Sequence, residues 1–386
     1  MKVIVVGAGV LGTAVARALA VAGAEVLLLD RRGPGTGTTS TTFAWTNANR
    51  KLDPAYHRLN VAGMTEHADL ARRLPGAPSY FPSGALHWAN SASAPWLADN
   101  VDRLLALGYP VRWIGRDEAT PITGALRIPA NAVSFAHFPG EGYVLPDRLL
   151  GNLLADAGRH GATCAIGEVA AVDDGPGGVS VTLAGGEVHR ADRVVLATGR
   201  WSERLAAGAG IDLPMLAGIE RGSPAVGLLG YVRAPGIDLR CVVHSPTLNL
   251  RPAAGGHTVV QALDLNAAVD PADPPAPDGP LARTIARRLS ALLPEPAPTP
   301  EIDLRVGFRS LPADGHTIAG FGSPRVYCLV SHSGITLGPL LGRLAAAEVV
   351  TGRGQELLDP FRPTRFAGRR RADFEVTQQA TRLGEQ

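Results

Sequence analysis

The chain opens with the stretch MKVIVVGAGVLGTAVARALAVAGAEVLLLD, residues 1–30, and this stretch decides the predicted fold. Residues 3–6 form a β-branched run typical of a parallel strand that is buried on both faces. An alanine-rich segment with helical periodicity follows over residues 13–22, Gly23 fits the end of that helix, and residues 25–30 form a second apolar run. The order of strand, glycine-rich turn, helix and strand predicts a βαβ unit.

The turn between the first strand and the helix has glycines in the spacing G-x-G-x-x-G. Gly7 permits the tight turn, Gly9 lets backbone N–H groups approach a pyrophosphate, and Gly12 lets the helix pack closely on the strand. Asp30 stands 18 residues after Gly12 at the end of the second strand, where a carboxylate can accept hydrogen bonds from ribose hydroxyls. This order predicts a dinucleotide site, although the motif itself does not separate FAD from NAD.

The chain after Asp30 favours FAD. A segment rich in hydroxyl and glycine residues, 33–42, interrupts the βαβ pattern, and the next run typical of a parallel strand comes only at residues 192–199. A nicotinamide-dependent dehydrogenase would normally continue with regular βαβ units, whereas an extended FAD needs contacts from distant segments. A second junction of this kind follows near the end, with a strand over residues 325–330, a turn over 333–336 and a helix over 340–350.

Composition and charge exclude several classes of partner. The formal net charge is +2, so we expect no nucleic-acid partner, and the short arginine cluster at residues 369–371 is read as a solvated helix face. No apolar stretch reaches the roughly 18 residues that a membrane span needs, which predicts a cytoplasmic protein without a membrane partner. Cys164, Cys241 and Cys328 are odd in number and far apart, which argues against disulfides and a metal site.

Several motifs along nearly the whole chain occur in the order of one known family. Together with the opening glycine motif they are residues 38–42 followed by 43–49, GYVLP at 142–146, the Ala-Thr-Gly-x-Trp pattern within 194–201, VGFR at 306–309 before Asp314 and Gly315, and SHSGITL at 331–337. On these motifs the chain resembles the D-amino-acid oxidase family of flavoproteins, which also includes glycine and sarcosine oxidases.

The resemblance and the strand pattern together predict an α/β fold. We expect an FAD-binding Rossmann-like domain of the glutathione-reductase type, with an interleaved substrate domain built on an antiparallel sheet. The expected FAD-binding domain is discontinuous and comprises residues 1–80, 142–222 and 306–386. The expected substrate-binding domain comprises residues 81–141 and 223–305.

The resemblance also implies where FAD binds. Residues 40–45 would line the pyrophosphate and the flavin ring, Val169 would meet the adenine, and backbone groups of residues 334–337 would face the pyrimidine edge of the flavin. Oriented N–H groups at a helix start stabilise the negative charge that develops at this edge on reduction. The predicted FAD contacts are Gly7, Gly9, Val10, Leu11, Gly12, Asp30, Arg31, Thr39, Ser40, Thr42, Phe43, Ala44, Trp45, Val169, Thr198, Gly199, Trp201, Arg309, Gly334, Ile335, Thr336 and Leu337.

The cofactor is expected to be held without a covalent bond. Some relatives attach flavin through a cysteine just before the Asp-Gly segment or through a histidine in the hydroxyl-rich loop. In this chain Gly307 stands in the place of that cysteine, and no histidine occurs between Arg31 and Tyr56.

Arg309 is the predicted substrate-binding side chain. In the family, an arginine at this position pairs with the substrate carboxylate, and a guanidinium can do so through two parallel hydrogen bonds that orient the α-carbon over the flavin. A surface or interdomain salt bridge is the alternative for Arg309. Arg251 is a second candidate, for which a structural role between the lobes is favoured.

Other polar residues near these motifs are candidates for substrate contacts. His244, Asn249 and Tyr231 lie on predicted strands of the substrate lobe, where alternation sends about half of such side chains to the other face. Asn47, Asn49 and Lys51 follow the hydroxyl-rich loop and are candidates for the same pocket. His332 is expected to orient backbone.

The implied activity is oxidation of the C–N bond of an amino acid or related amine. The α-hydrogen would leave as a hydride to the flavin, and water would hydrolyse the resulting imine without a strong protein base. The final electron acceptor would be oxygen or another acceptor, and the motifs leave the number of subunits open. Two other functions fit: a tailoring or demethylating oxidase of a secondary amine or carrier-bound substrate, and a flavin-binding partner protein without turnover.

Overall fold

The computed structural model describes residues 1–233, 237–295 and 300–374. The α-helices are α1 (Val10–Val21), α2 (Pro54–Arg73), α3 (Ala94–Ala106), α4 (Arg116–Thr123), α5 (Pro146–Arg159), α6 (Ser202–Gly208), α7 (Pro280–Ser290) and α8 (Gly334–Thr351). The strands are β1 (Lys2–Val6), β2 (Glu25–Asp30), β3 (Trp45–Thr46), β4 (Tyr80–Phe81), β5 (Ala85–Asn90), β6 (Arg112–Trp113), β7 (Ala132–Phe138), β8 (Gly142–Val144), β9 (Thr163–Ile166), β10 (Val169–Gly175), β11 (Gly178–Leu183), β12 (Val188–Ala191), β13 (Arg193–Leu196), β14 (Met215–Leu216), β15 (Val226–Arg233), β16 (Val242–His244), β17 (Asn249–Pro252), β18 (Thr258–Gln261), β19 (Glu301–Phe308), β20 (Leu311–Pro312), β21 (Ile318–Phe321) and β22 (Val326–Val330).

A six-stranded sheet organises the first lobe. Its strand order is β21-β22-β13-β1-β2-β9, and all pairs are parallel except the edge pair β21-β22. The carboxyl ends of β1, β13 and β22 therefore meet at one edge of the sheet, although these strands are far apart in the sequence. This arrangement confirms the predicted α/β fold class, because the glycine turn and the two later strand ends converge on one side.

An eight-stranded sheet organises the second lobe. Its order is β19-β15-β18-β17-β16-β5-β7-β6, and its pairs are antiparallel apart from β16 with β5. These strands come from residues 85–138 and 226–308, so the chain enters and leaves this sheet twice. The domain boundaries themselves stay predictions, and β19 crosses the one expected after residue 305.

Two helices of the first lobe cross at very short range. A Cβ at Gly342 of α8 would lie 2.7 Å from the Cβ of Ala14 in α1, and one at Gly338 would lie 2.9 Å from Val10 Cγ2. Because real Cβ atoms essentially never approach so closely, both positions require glycine. The close crossing brings the beginnings of both helices to the same edge of the sheet.

Helix α8 begins earlier than predicted. The sequence suggested a turn over residues 333–336 and a helix over 340–350, whereas the helix starts at Gly334 and continues through Pro339. Proline has no N–H to donate to the Ile335 carbonyl four residues earlier, so the helix would lose a bond there. His67 Nε2 of α2 lies 2.7 Å from the Ile335 carbonyl oxygen and donates to it. This side chain replaces the missing backbone donor and explains why the proline is tolerated.

We expect His67→Phe to lower the free energy of unfolding by about 1–3 kcal/mol, because the buried Ile335 carbonyl then has no donor. Phenylalanine keeps the stacking on Tyr80, whose ring lies 5.3 Å from that of His67. Urea unfolding of both proteins measures the difference. His67→Gln, which retains an N–H donor, is expected to recover part of the loss, and an unchanged His67→Phe protein would contradict the explanation.

Burial lowers the pKa of His67 from 6.5 to about 4, so the folded protein holds this side chain neutral. Since the unfolded chain binds the proton more readily, the contribution of this group to stability is complete above pH 6.5 and is lost as the pH falls towards 4. We expect the free energy of unfolding of the wild type to fall over this range more steeply than that of His67→Phe. Urea unfolding of both proteins at several pH values measures this. An equal fall of the two free energies of unfolding with pH would contradict the expectation.

Candidate active site

A long cleft runs along the edge of the six-stranded sheet where the strand ends converge. We call it the nucleotide cleft. Its wall consists of the glycine turn, the end of β2, the hydroxyl-rich segment, the start of β10 and the segments that follow β13 and β22. Fourteen of the predicted FAD contacts line it: Gly7, Gly9, Val10, Leu11, Asp30, Arg31, Thr39, Thr42, Val169, Thr198, Gly199, Trp201, Gly334 and Ile335.

The glycine turn has the geometry that a bound pyrophosphate requires. Gly7 has φ +100°, and a Cβ there would lie 2.5 Å from the Ala197 carbonyl oxygen. A Cβ at Gly12 would lie 1.7 Å from the Gly7 carbonyl oxygen, so Gly12 serves helix packing and does not face the cleft. The backbone at Gly9 opens directly into α1, whose N-terminus faces the cleft. The residues present therefore fit a dinucleotide cofactor.

Asp30 is held in a fixed orientation at the rim of the cleft. One carboxylate oxygen accepts the N–H of Ala8 at 2.9 Å, and the other accepts the N–H groups of Arg32 at 2.9 Å and Gly33 at 3.1 Å. The carboxylate thus fastens the glycine turn to the end of β2. Asp30 lines the cleft, and its oxygens have further lone pairs for the predicted ribose contact.

The nucleotide cleft continues into a second cavity, which we call the inner chamber. The two share Thr38, Thr42, His332 and Ile335. The inner chamber lies between the hydroxyl-rich loop, the start of α8 and the eight-stranded sheet. An extended cofactor can therefore place its reacting end here. The predicted residues that line the inner chamber are Thr42, Phe43, Ala44, Trp45, Arg309, Ile335 and Thr336.

Arg309 projects into the inner chamber from the end of β19 and is buried. Its Nη1 donates to the carbonyl oxygens of Pro224, at 3.0 Å, and of Val226. Its Nε and Nη2 have no acceptor among the described residues, and no described carboxylate pairs with it. Gly227 makes room for this side chain, because a Cβ there would lie 2.5 Å from Arg309 Nη2. The salt-bridge alternative therefore has no partner within residues 1–233, 237–295 and 300–374.

The hydroxyl-rich loop contacts the second lobe through hydrogen bonds from side chains to backbone carbonyls and through a close approach at Gly307. Thr38 Oγ1 donates to the Phe308 carbonyl at 2.5 Å, and a Cβ at Gly307 would lie 2.8 Å from Thr41 Oγ1. Buried Arg251 donates from Nε to the Phe43 carbonyl, which is the structural role that the sequence favoured. Among the described non-glycine residues only Ala44 has positive φ, at 55°, and such local strain persists where the surroundings fix the backbone.

Glu141 supports this loop from behind and was missed in the sequence. Its carboxyl group is fully buried and accepts hydrogen bonds from Trp45 Nε1 at 2.8 Å, Asn49 Nδ2 at 3.0 Å and Tyr109 Oη at 3.0 Å. Burial raises the pKa of Glu141 to about 8. Its position directly before the GYVLP motif was the available signal. Glu141 is a positioning residue for Trp45, which lines the inner chamber.

The structure places three of the proposed substrate contacts outside the inner chamber. His244 and Asn249 line a neighbouring cavity, and His244 Nδ1 lies 2.9 Å from Asn249 Oδ1. Burial lowers the pKa of His244 to about 3, so this ring is neutral. Tyr231 lines a different cavity and donates to the Ser40 carbonyl at 3.1 Å, so neither it nor Ser40 reaches the inner chamber. None of these residues lines the inner chamber, and their roles as substrate contacts stay predictions.

Of the predicted residues after the loop and at the start of α8, some line the inner chamber and others do not. Asn47 and Lys51 line the inner chamber, whereas the side-chain amide of Asn49 donates a hydrogen bond to Glu141. Thr336 Oγ1 donates to the Trp45 carbonyl at 3.3 Å. Leu337 is fully buried, and its N–H donates to the Ser333 carbonyl, so it reaches neither cavity.

The described residues also bear on other cofactors and partners. Among the described residues, no cysteine lines the nucleotide cleft or the inner chamber, and non-covalent binding of the cofactor stays a prediction. Across residues 1–233, 237–295 and 300–374 we find neither a cluster of three metal-ligating side chains nor a helix with the length and apolar character of a membrane span.

Residues 2–348 match the sequence model of the DAO family, described as FAD dependent oxidoreductase, and the chain belongs to this family. It is therefore an FAD-binding oxidoreductase of the glycine and amino-acid oxidase type, and the flavin-binding partner without turnover is not retained. This confirms the family resemblance that the sequence motifs indicated.

Named relatives are similar over almost their full length. The chain is 26% identical to the uncharacterized oxidoreductase YurR of Bacillus subtilis, with 93% of this chain and 98% of that protein aligned. It is also 26% identical to a glycine oxidase of Pseudomonas aeruginosa, with 95% and 99% aligned. The crystal structure of glycine oxidase from Geobacillus kaustophilus has the same fold, with a TM-score of 0.80, 24% identity and coverage of 94% of this chain and 99% of that one.

We expect Asp30→Asn to weaken FAD binding at least about tenfold, since an amide cannot accept all three backbone N–H groups and the ribose together. Titration of the apoprotein with FAD, followed by the quenching of flavin fluorescence, measures the change. Asp192→Asn is the matched control, because Asp192 accepts the backbone N–H of Lys2 at 2.7 Å at the opposite end of β1. Equal affinities for Asp30→Asn and wild type would contradict the assignment.

Proposed function

We propose that the protein oxidises the C–N bond of an amino acid or related amine whose carboxylate binds Arg309. The observation that carries this proposal is the position of Arg309 in the inner chamber, where the nucleotide cleft ends. Two backbone carbonyls fix its Nη1, while Nε and Nη2 remain for a ligand. The edge of a guanidinium with two such donors matches a carboxylate.

The electrostatics of the chamber favour an anionic ligand. Burial lowers the pKa of Arg309 to about 10, so the side chain is still charged at neutral pH. A buried charge without an opposite charge is costly, and a bound carboxylate compensates it. Arg50 and Lys51 line the same chamber and add to its positive potential. That potential disfavours a protonated amine and so favours the neutral amine that the oxidation needs.

FAD, when bound, supplies the acceptor for the hydride that leaves the substrate α-carbon. The protein then has to bind and orient the substrate and to exclude water from it. Arg309 fixes the carboxylate, which orients the α-carbon, and the N-terminal turn of α8 places its positive end at the wall that cleft and chamber share. Burial and the charges of Lys51 and Arg309 lower the pKa of His332 well below its usual value, so it contributes a neutral ring there.

The named relatives support an amino-acid substrate. The glycine oxidases described above act, by their names, on a small amino acid, and the chain aligns with nearly all of their length. The proposal for this chain is correspondingly a substrate with an amine and a carboxylate on one carbon.

An anaerobic titration of the purified yellow protein with primary and N-alkyl amino acids tests this function. We expect at least one amino acid to bleach the flavin absorption. If none of them does so under these conditions, the proposal is wrong.

We expect Arg309→Met to lower kcat/KM for that amine by roughly 100-fold or more, because the carboxylate loses a charge-assisted, bidentate partner. Arg305→Met on the same strand is the control, since Arg305 is paired with Asp303 at 2.8 Å outside the chamber. Rapid-reaction measurement of flavin reduction reports the step directly. A rate and an affinity unchanged in Arg309→Met would remove the carboxylate role.

A further inference from the structure

The inner chamber opens into a third cavity, which we call the side chamber. The two share Arg50, Gln261 and Leu263, and these lie at the passage between them. The nucleotide cleft shares none of these three residues, because its common wall with the inner chamber is Thr38, Thr42, His332 and Ile335. The side chamber therefore extends the space for substrate and not the space for cofactor.

The passage is a place of positive charge. Arg309, Lys51 and Arg50 line the inner chamber, and no described aspartate or glutamate does. In the side chamber Asp264 is held by Arg288 through bonds of 2.7 and 2.6 Å, so its charge is compensated. A ligand that bridges the two chambers thus meets cations at two points.

Arg50 is the cation at the passage. Its guanidinium carbon lies 5.9 Å from the ring centre of Trp45 and 5.1 Å from that of Trp96, and these rings confine it between the chambers. An arginine keeps its charge at neutral pH, whereas burial and the neighbouring Arg50 lower the pKa of Lys51 to about 7. Arg50 is thus a permanently charged side chain of the inner chamber, and it is separate from Arg309, which is proposed to bind the α-carboxylate.

Glu141 is a carboxyl group close enough to this cation for the charge of Arg50 to lower its pKa. It lies behind Trp45, and Trp45, Asn49 and Tyr109 all donate to its carboxyl group. Burial raises its pKa to about 8, against the lowering effect of these three hydrogen bonds and of Arg50. Among the three residues that line the passage, Arg50 is the charged one.

We propose that the substrate is an amino acid or N-alkyl amino acid with a second carboxylate, which Arg50 binds at the passage while Arg309 binds the first. The proposal rests on the proposed function, because it takes Arg309 as the partner of the carboxylate next to the reacting carbon. It identifies the class of substrate as dicarboxylic amines, and it gives Arg50 the role of selecting them. The neutral polar groups of Gln261 and Asn249 line the space beyond.

The test is binding of acids without an amino group to the holoenzyme, followed by the shift of the flavin absorption spectrum, because such acids do not reduce the flavin. Glutarate and thiodiacetate are the diacids. Their monomethyl esters are the matched ligands with nearly the same length and one neutral end. We expect each diacid to bind the wild type at least about tenfold more tightly than its monoester.

Variants assign that preference to the passage. Arg50→Met is expected to bring the ratio of the two dissociation constants close to one, and Arg50→Lys to retain part of it. Arg58→Met removes an exposed charge on the neighbouring helix α2 and is expected to leave the ratio unchanged. Arg309→Met is expected to weaken diacid and monoester together. Flavin content checks that each variant is folded and loaded.

Equal binding of diacid and monoester to the wild type overturns the proposal, and so does a ratio that survives in Arg50→Met. The wild-type comparison needs no variant and decides the question even if Arg50→Met does not fold. Failure of the proposed function gives a different result. In that case no amine bleaches the flavin, whereas the ratio of the two dissociation constants can still be measured. An oxidase of simple monocarboxylic amino acids would bleach with these and show no diacid preference.

Discussion

The structure depends on the close approach of the first glycine turn to its neighbours. Gly7 touches the backbone at Ala197, and Gly12 touches the backbone at Gly7, at distances that exclude any side chain. These contacts fix where β1 ends relative to β13 and where α1 begins. Helix α8 then packs on α1 through Gly338 and Gly342, so one small region sets the origin of two helices and the mouth of the nucleotide cleft. A cofactor site built on backbone contacts is rigid, because no rotamer change can relax it.

The inner chamber is built differently, from side chains that hold a loop in place. Trp45 and its neighbours are fixed by Glu141, by Arg251 and by contacts with β19, and Ala44 keeps a strained backbone as a result. Each supporting group is itself buried and polar, so its hydrogen bonds have to be complete. The chamber thus combines a fixed cofactor wall with a lining that includes three cationic side chains and no described aspartate or glutamate. This combination is consistent with the proposed oxidation of an amine that carries a carboxylate.

The sequence was sufficient for the fold, and most of the FAD contacts predicted from it line the nucleotide cleft or the inner chamber, because both follow from local patterns. The glycine spacing, the acid at Asp30 and the apolar runs each report on a few neighbouring residues. The side chains that face the inner chamber depend on long-range pairing, which no local pattern encodes. His244 and Tyr231 were placed on strands correctly but point into other cavities, because one residue of register decides the face. The start of α8 was missed because a donor 268 residues away compensates for its proline.

The interleaving of the two lobes has a consequence for the synthesis of the protein. The first strand is synthesised early, but its neighbour β13 and the next strand of the sheet, β22, end only at residues 196 and 330. Until they appear, the nascent βαβ unit exposes apolar strand edges that have no partner. Contacts of such long sequence separation slow folding and lengthen the time in which aggregation competes. A shortened chain that ends before β22 would therefore lack a complete sheet in either cellular or cell-free expression, and chaperones would be its natural first partners.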